Sequence, residues 1–314
     1  MRPSLACFLV AGAVVLLQLF PLTGIVLAML GGPFWSALLI NLGFILLAAE
    51  ALTEDAPRFL LIAPALWFGG YGIATIDSHL QAYSFYRGIV ANNAPKLVGW
   101  DQRSMDLIIT RGPDDSFIGS NLTPDALVND YSIDRVYENR GTAPQGGMWL
   151  TELVQENCPR KGVGVEDGVV FETPYNRKRH PDQRTGPAAG LCLKTRQSSS
   201  WLPSIDIEPG RIEERRQGLI ETSRQPITIS RSGSTIATVE TGWARPLSWL
   251  PLPMIGCGLN DGQAKWECFA AFSREGISRK TGDTSSPVAV VAHALGLKRA
   301  SIAERFPANW PPDA

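Results

Sequence analysis

The chain has 314 residues, with 29 Lys and Arg against 30 Asp and Glu and 45% hydrophobic residues, and a mean hydropathy of zero. Its near-neutral charge excludes the strongly basic footprint of a nucleic-acid binder. The average hides a division: residues 1–76 hold 51 apolar side chains and residues 3–49 carry no charge, which excludes a purely soluble globule and makes the lipid bilayer the first partner to consider.

A hydrocarbon core of about 30 Å takes about 20 helical residues to cross. The uncharged run therefore holds two crossings, separated at Gly31-Gly32-Pro33, where two glycines and a proline break the helix pattern. The pattern predicts spans over residues 5–30, kinked around Pro21, and 34–52. A third, over 59–76, follows the charged loop Glu54-Asp55-Ala56-Pro57-Arg58. Arg2 opens a stretch resembling a secretory leader, but the apolar run outlasts the usual length and lacks a small-x-small cleavage site, so cleavage is not expected. Arg2 and Arg58 mark one side, and no basic residue follows the third run until Arg87. The positive-inside rule then places the N-terminus in the cytoplasm and the C-terminal domain outside it, with Trp35, Tyr83, Phe85 and Tyr86 toward the outer interface. Gln18 and Asn41 read as interhelical hydrogen-bonding residues, Glu50 as a span-end carboxylate reaching headgroup water, and Ala65 with Gly69 as a small packing face.

Residues 77–314 contain 27 basic groups once Arg2 and Arg58 are set aside, and 27 acidic ones once Glu50, Glu54 and Asp55 are. Long-range steering of a charged partner is not indicated. Residues 77–100 read as a juxtamembrane helix and linker, the helix continuing the third span outward over 79–90 and ended by Asn92-Asn93-Ala94-Pro95, and 101–314 as the polar, β-rich domain. Strands are expected at 107–110 and 168–171, in a hairpin from 226 to 239 turning at Arg231-Ser232-Gly233, and at 265–272. Helices are expected at 124–128, at 148–156 and from 287 to 297, continuing through Arg305. Residues 177–190 and 195–200 read as long polar loops. The fold class is thus a membrane protein: three N-terminal transmembrane helices followed by a β-rich α+β extracytoplasmic domain.

Cys7 lies in the first span. Cys158, Cys192, Cys257 and Cys268 all lie in the polar domain without a Cys-x-x-Cys pair, which favours two disulfides over a zinc site. Of three possible pairings, Cys158–Cys192 with Cys257–Cys268 closes two uncrossed loops, each contributing about 2–4 kcal/mol. Disulfides persist outside the cytosol, in agreement with the charge-derived topology.

Patterns for chemistry are sparse. Gly-x-Ser-x-Gly, Ser-x-x-Lys, His-Glu-x-x-His and P-loop motifs do not occur, Lys280-Thr281-Gly282 stands without a nucleophile motif, and no cofactor or metal is implied. Of the three histidines, His79 lies by the membrane, His293 on an apolar helix pattern and His180 in the basic run Arg177, Lys178, Arg179, His180, Arg184. That run suits an anionic group, or simply a solvated loop. Asp114-Asp115 suits a cation, or simply a turn. The expected function is non-enzymatic: an envelope binding or assembly protein on a membrane anchor, with a membrane or envelope protein as partner. The alternative is an envelope enzyme acting on a glycan or lipid-linked substrate through His180, Arg177, Arg179, Asp114 and Asp115.

Overall fold

In a computed structural model, the structure describes residues 2–94, 98–111, 122–131, 133–139, 148–154, 169–176, 187–260, 265–276 and 286–298. Apolar helices near the N-terminus precede a region rich in β-sheet. The chain divides into two compact units, one of Met1–Phe85, Arg215–Thr222 and Ala244–Ser278, the other of Tyr86–Glu214, Ser223–Trp243 and Arg279–Ala314.

In the first unit, α1 (Pro3–Gln18) and α3 (Gly32–Leu52) lie side by side. Arg2, at the cap position of α1, has no side chain bonded there. The Glu50 carboxylate takes over that role from the far end of α3, accepting from the Ser4 N–H at 2.9 Å and the Ser4 hydroxyl at 2.6 Å. Free N–H groups at a helix start favour such an anionic acceptor. Glu50 is consequently buried, at 7% exposure, where the sequence led us to expect contact with headgroup water. Phe8 meets Phe44 edge to face at 5.1 Å, and Phe44 stacks on Trp67 at 5.0 Å. The two helices approach over Gly43, where an added Cβ would stand 2.8 Å from the Phe8 ring.

The break at Pro21 is far larger than a kink. The axes of α1 and α2 (Pro21–Met29) differ by 118°, because Leu19–Phe20 leave the helix and proline can only start a new one there. Gly31, at φ +76°, makes the left-handed turn into α3. The third apolar run is continuous from Arg58 to Asn93 and combines a 3-10 turn (Arg58–Leu61), α4 (Ile62–Ala65), a π turn (Leu66–Gly70) and α5 (Tyr71–Asn93). It ends where Asn92-Asn93 predicted. Phe34–Leu52 and Arg58–Asn93 are long and apolar enough to cross a membrane, and the bent pair α1–α2 would make a third span if counted as one. Gly69, Gly70 and Gly72 have open space around them, so the small face of this helix packs on nothing among the described residues. The unit is completed by an antiparallel hairpin of β10 (Pro253–Asn260) and β11 (Lys265–Phe272), packed against α2 and α3.

The second unit contains most of a nine-stranded mixed sheet. Its strands are β1 (Asp106–Thr110), β2 (Arg135–Asn139), β3 (Met148–Val154), β4 (Val169–Asn176), β5 (Pro187–Ser198), β6 (Ser204–Pro209), β7 (Glu213–Gln217), β8 (Ile220–Arg231) and β9 (Ser234–Arg245). They follow the order β4-β5-β3-β2-β1-β6-β8-β7, with β9 on β8. Only β6, β1 and β2 are parallel neighbours, because α6 (Pro124–Asp130) returns the chain between β1 and β2. Helices α6 and α7 (Pro287–Ala294) start at Thr123 and Ser286, whose hydroxyls accept from the backbone N–H three residues on. They pack with Leu107, Ile109, Ile205, Ile207, Ile227 and Ile229 in one core. The hairpin turn has Ser232 at φ +51° and Gly233 at φ +78°, the two positive angles that a type I′ turn needs.

Two expectations are corrected. Residues 148–154 form strand β3 instead of a helix: Leu150 is buried, and the segment pairs with β2 and β5 on its two sides, so tertiary pairing overrides local pattern. Residues 187–190 and 195–198, expected as loop, belong to β5. The core makes a clear stability forecast. Replacing fully buried Ile207 by Ala is expected to cost about 2–5 kcal/mol, read from the unfolding midpoint of detergent-purified protein, whereas Ile236→Ala at the exposed start of β9 should stay within about 0.5 kcal/mol.

Candidate functional site

In the first unit, polar side chains of the apolar helices converge on the backbone of a distant segment. Tyr71, Thr75 and Ser78 recur at intervals of four and three, which places them on one face of α5. The Tyr71 hydroxyl donates to the Ser248 carbonyl at 2.8 Å, and the Thr75 hydroxyl donates to the same oxygen at 3.4 Å. Ser78 accepts from the Leu247 N–H at 3.1 Å. On α3, Asn41 donates to the Pro251 carbonyl while accepting from the Trp67 indole at 3.0 Å. Ser36 accepts from the Ile255 N–H and donates toward the Pro253 and Ile255 carbonyls. Asn41 is thus interhelical, as its sequence position suggests, but its second partner was not foreseeable. The spacing of Tyr71, Thr75 and Ser78 was a legible sign of this seam.

Above it lies a charged node. Arg274, its side chain 8% exposed, donates through Nη1 to the Leu219 carbonyl at 2.6 Å and the Arg245 carbonyl at 3.1 Å, and pairs through Nε with Glu221 at 2.9 Å. Gln81 accepts from the Leu219 N–H at 3.1 Å. His79 stacks on Trp249 with ring centroids 4.5 Å apart and lies 3.9 Å from the Glu275 carboxylate. One guanidinium thus joins the end of β9 to the start of β8, its planar fork suiting several acceptors, while Gln81 ties the helix to the same turn.

In the second unit, the buried Glu138 of β2 forms an ion pair with Arg111, just past the end of β1. Buried Asp106, at the other end of β1, accepts from Arg135 Nε at 2.8 Å and from the Leu202 N–H at 2.7 Å. Tyr137 donates to the Ser200 carbonyl. Burial, and then the negative charge of Asp106, push its phenol above the ordinary value. Arg135 is itself held above its usual value: burial is the largest influence and works against the charged form, but the hydrogen bond to Asp106 and the negative charges of Asp106 and its neighbours together outweigh it.

Comparison with known proteins returns no matching family model, no matching curated protein and no matching solved structure. The candidate site therefore rests on its own geometry.

Of the residues singled out from sequence, Cys257 and Cys268 face each other across β10 and β11 and are joined by a disulfide. Cys192 lies on β5, in register with Val154 and Pro174, while Cys158 lies outside the described residues. So do Arg177, Lys178, Arg179, His180 and Arg184, together with Asp114, Asp115 and the segment 280–282. Cys7 is a free thiol, and His293 is exposed on α7. Among the described residues no group of three His, Cys, Asp or Glu side chains is placed to hold a metal. The arrangements that are described hold backbone and balance charge.

Two outcomes follow. Arg274→Met is expected to destabilise the detergent-purified protein by about 1.5–3 kcal/mol, as charged hydrogen bonds to buried carbonyls are lost, while Arg58→Met, in an exposed i,i+4 pair, should cost under about 1 kcal/mol. For Tyr137 the folded value lies above the unfolded one, so its contribution is intact below about pH 10 and is lost as pH rises through the folded value. Tyr137→Phe should flatten the alkaline decline of stability, and an unchanged slope would contradict this.

Proposed function

We propose that the protein is a membrane-anchored binding or assembly protein of the cell envelope, with a cytoplasmic N-terminus and a β-rich C-terminal domain outside the cytoplasm. The observation carrying this reading is the surface of the apolar helices, where Leu22, Met29, Phe34 and Ile73 are each more than two thirds exposed. A continuous apolar surface of this extent is matched by lipid. Ser4 lies against Glu50 at one end of α3, and Arg58 pairs with Glu54 just beyond that end. Arg2 and Arg58 therefore gather at one end of the helices, which supports the positive-inside orientation. The Cys257–Cys268 disulfide supports an oxidising compartment for the hairpin.

The role in binding or assembly is favoured by the chemistry described so far, in which buried charges are paired and helix polar groups hold backbone. A membrane or envelope protein is the partner class that fits a charge-balanced domain held beside a bilayer. The residues on which an envelope enzyme would rest lie outside the described set.

The anchor and its orientation are tested together. The protein should stay in the membrane pellet through an alkaline carbonate wash and be released by detergent. Protease added to spheroplasts should remove a C-terminal tag and spare an N-terminal one. Release by carbonate, or a protected C-terminal tag, would overturn the reading.

A further inference from the structure

The hydrogen bonds around residues 248–253 carry a more specific conclusion, which rests on the membrane reading above. The segment Ser248-Trp249-Leu250-Pro251-Leu252-Pro253 sits in a run of fifteen uncharged residues from Pro246 to Asn260, bounded on one side by Arg245 and, across the hairpin, by Arg274 and Glu275. Asn41, which holds its Pro251 carbonyl, is nine residues into α3, about 14 Å from the helix start at 1.5 Å per residue. That is roughly half of a 30 Å hydrocarbon core. Non-helical backbone at such depth is tolerated only where its polar groups are satisfied by protein.

Five of the six carbonyls of the segment meet that condition, and the Ser248 N–H donates to the Ser273 carbonyl at 3.0 Å. The carbonyl of Ser248 accepts from Tyr71 and Thr75, that of Leu250 from the Ser248 hydroxyl, that of Pro251 from Asn41, that of Leu252 from the Ser273 N–H, and that of Pro253 from Ser36. Two of the six residues are prolines, which bring no N–H to satisfy. The side chains point the other way in polarity: Trp249 and Leu250 are 63% and 67% exposed, and Phe269 and Phe272 of the adjoining strand are also exposed. Phe272 continues the aromatic row of Trp67 and Tyr71 on the long helix.

We propose that residues 248–253, with the Phe269–Phe272 end of the hairpin, enter the acyl-chain region of the leaflet on the side of the C-terminal domain. They form a re-entrant membrane element supplied by the C-terminal half of the chain. Its occupant is lipid hydrocarbon, because the exposed side chains continue the apolar surface of the candidate spans and the carbonyls from Leu250 to Pro253 are already paired within the protein.

The test places a photoreactive benzophenone side chain at Leu250, and separately at Trp249, in the full-length protein reconstituted into phosphatidylethanolamine and phosphatidylglycerol vesicles. Ile73 on the long helix serves as the lipid-facing reference and Ile236 on β9 as the aqueous one. Mass spectrometry should find acyl-chain adducts at 249 and 250 comparable to those at 73 and roughly tenfold above those at 236, the preference expected for a large apolar side chain in hydrocarbon. Adducts at 73 but not at 249 or 250 would overturn the re-entrant element and leave the anchor standing. No adducts at 73 would overturn the anchor and this element with it. A crosslink from 250 to protein, whether a second copy or another chain, would overturn lipid as the occupant.

Discussion

Buried backbone polar groups must be paired, and in this protein that requirement is met across very long stretches of chain. Isolated apolar helices satisfy their own backbone and need nothing more from one another than packing. A stretch of irregular backbone laid against them does need donors and acceptors. The polar residues within the apolar helices are set where that backbone passes: Tyr71, Thr75 and Ser78 on one helix, Ser36 and Asn41 on another. Glu50 serves the same rule at a helix start, pairing the Ser4 N–H that no neighbouring cap reaches. Most of the few polar positions in an otherwise apolar run thus hold backbone, whereas Gln18, expected as an interhelical hydrogen-bonding residue, is buried without a hydrogen-bond partner among the described residues.

The second unit solves a different problem, covering the middle of a wide sheet. Its parallel strands β1 and β6 carry Leu107, Ile109, Ile205 and Ile207, all essentially inaccessible, as expected of strands that lie under helices. Among the described residues of this unit the buried carboxylates are Asp106 and Glu138, which pair with Arg135 and Arg111 near strand ends. Buried pairs of this kind add little net stability over an apolar filling. Their effect here is to fix neighbouring strand ends, since each pair links β1 or the residue after it to β2.

What could be read from the sequence was local. The turn at Ser232-Gly233 is written in two adjacent residues, and the helix after Ser286 in a hydroxyl followed by proline and a run of small apolar residues. The segment from Met148 was misread because Met-Trp-Leu-Thr-Glu-Leu-Val fits either period, and its choice is made by β2 and β5 on its flanks. Pro21 announced a break but not a turn of 118°, whose size is set by what α2 packs against. The seam was half legible: its spacing on α5 was visible, but its partners at 247–255 were not, since nothing in either stretch names the other. The interleaved composition of the first unit, with residues from three separate stretches of the chain, was hidden for the same reason.

The distance between the seam and its partners also sets a schedule for biosynthesis. Ser78 and the Leu247 N–H that it accepts are 169 residues apart. At synthesis rates of about 5–20 residues per second the ribosome needs roughly ten to thirty seconds to cover that interval. Throughout it, Tyr71, Thr75 and Ser78 are already made and the backbone that will occupy them does not yet exist. The helices therefore pass through an early life with an unfilled polar face, which is the state in which a chaperone would meet this chain.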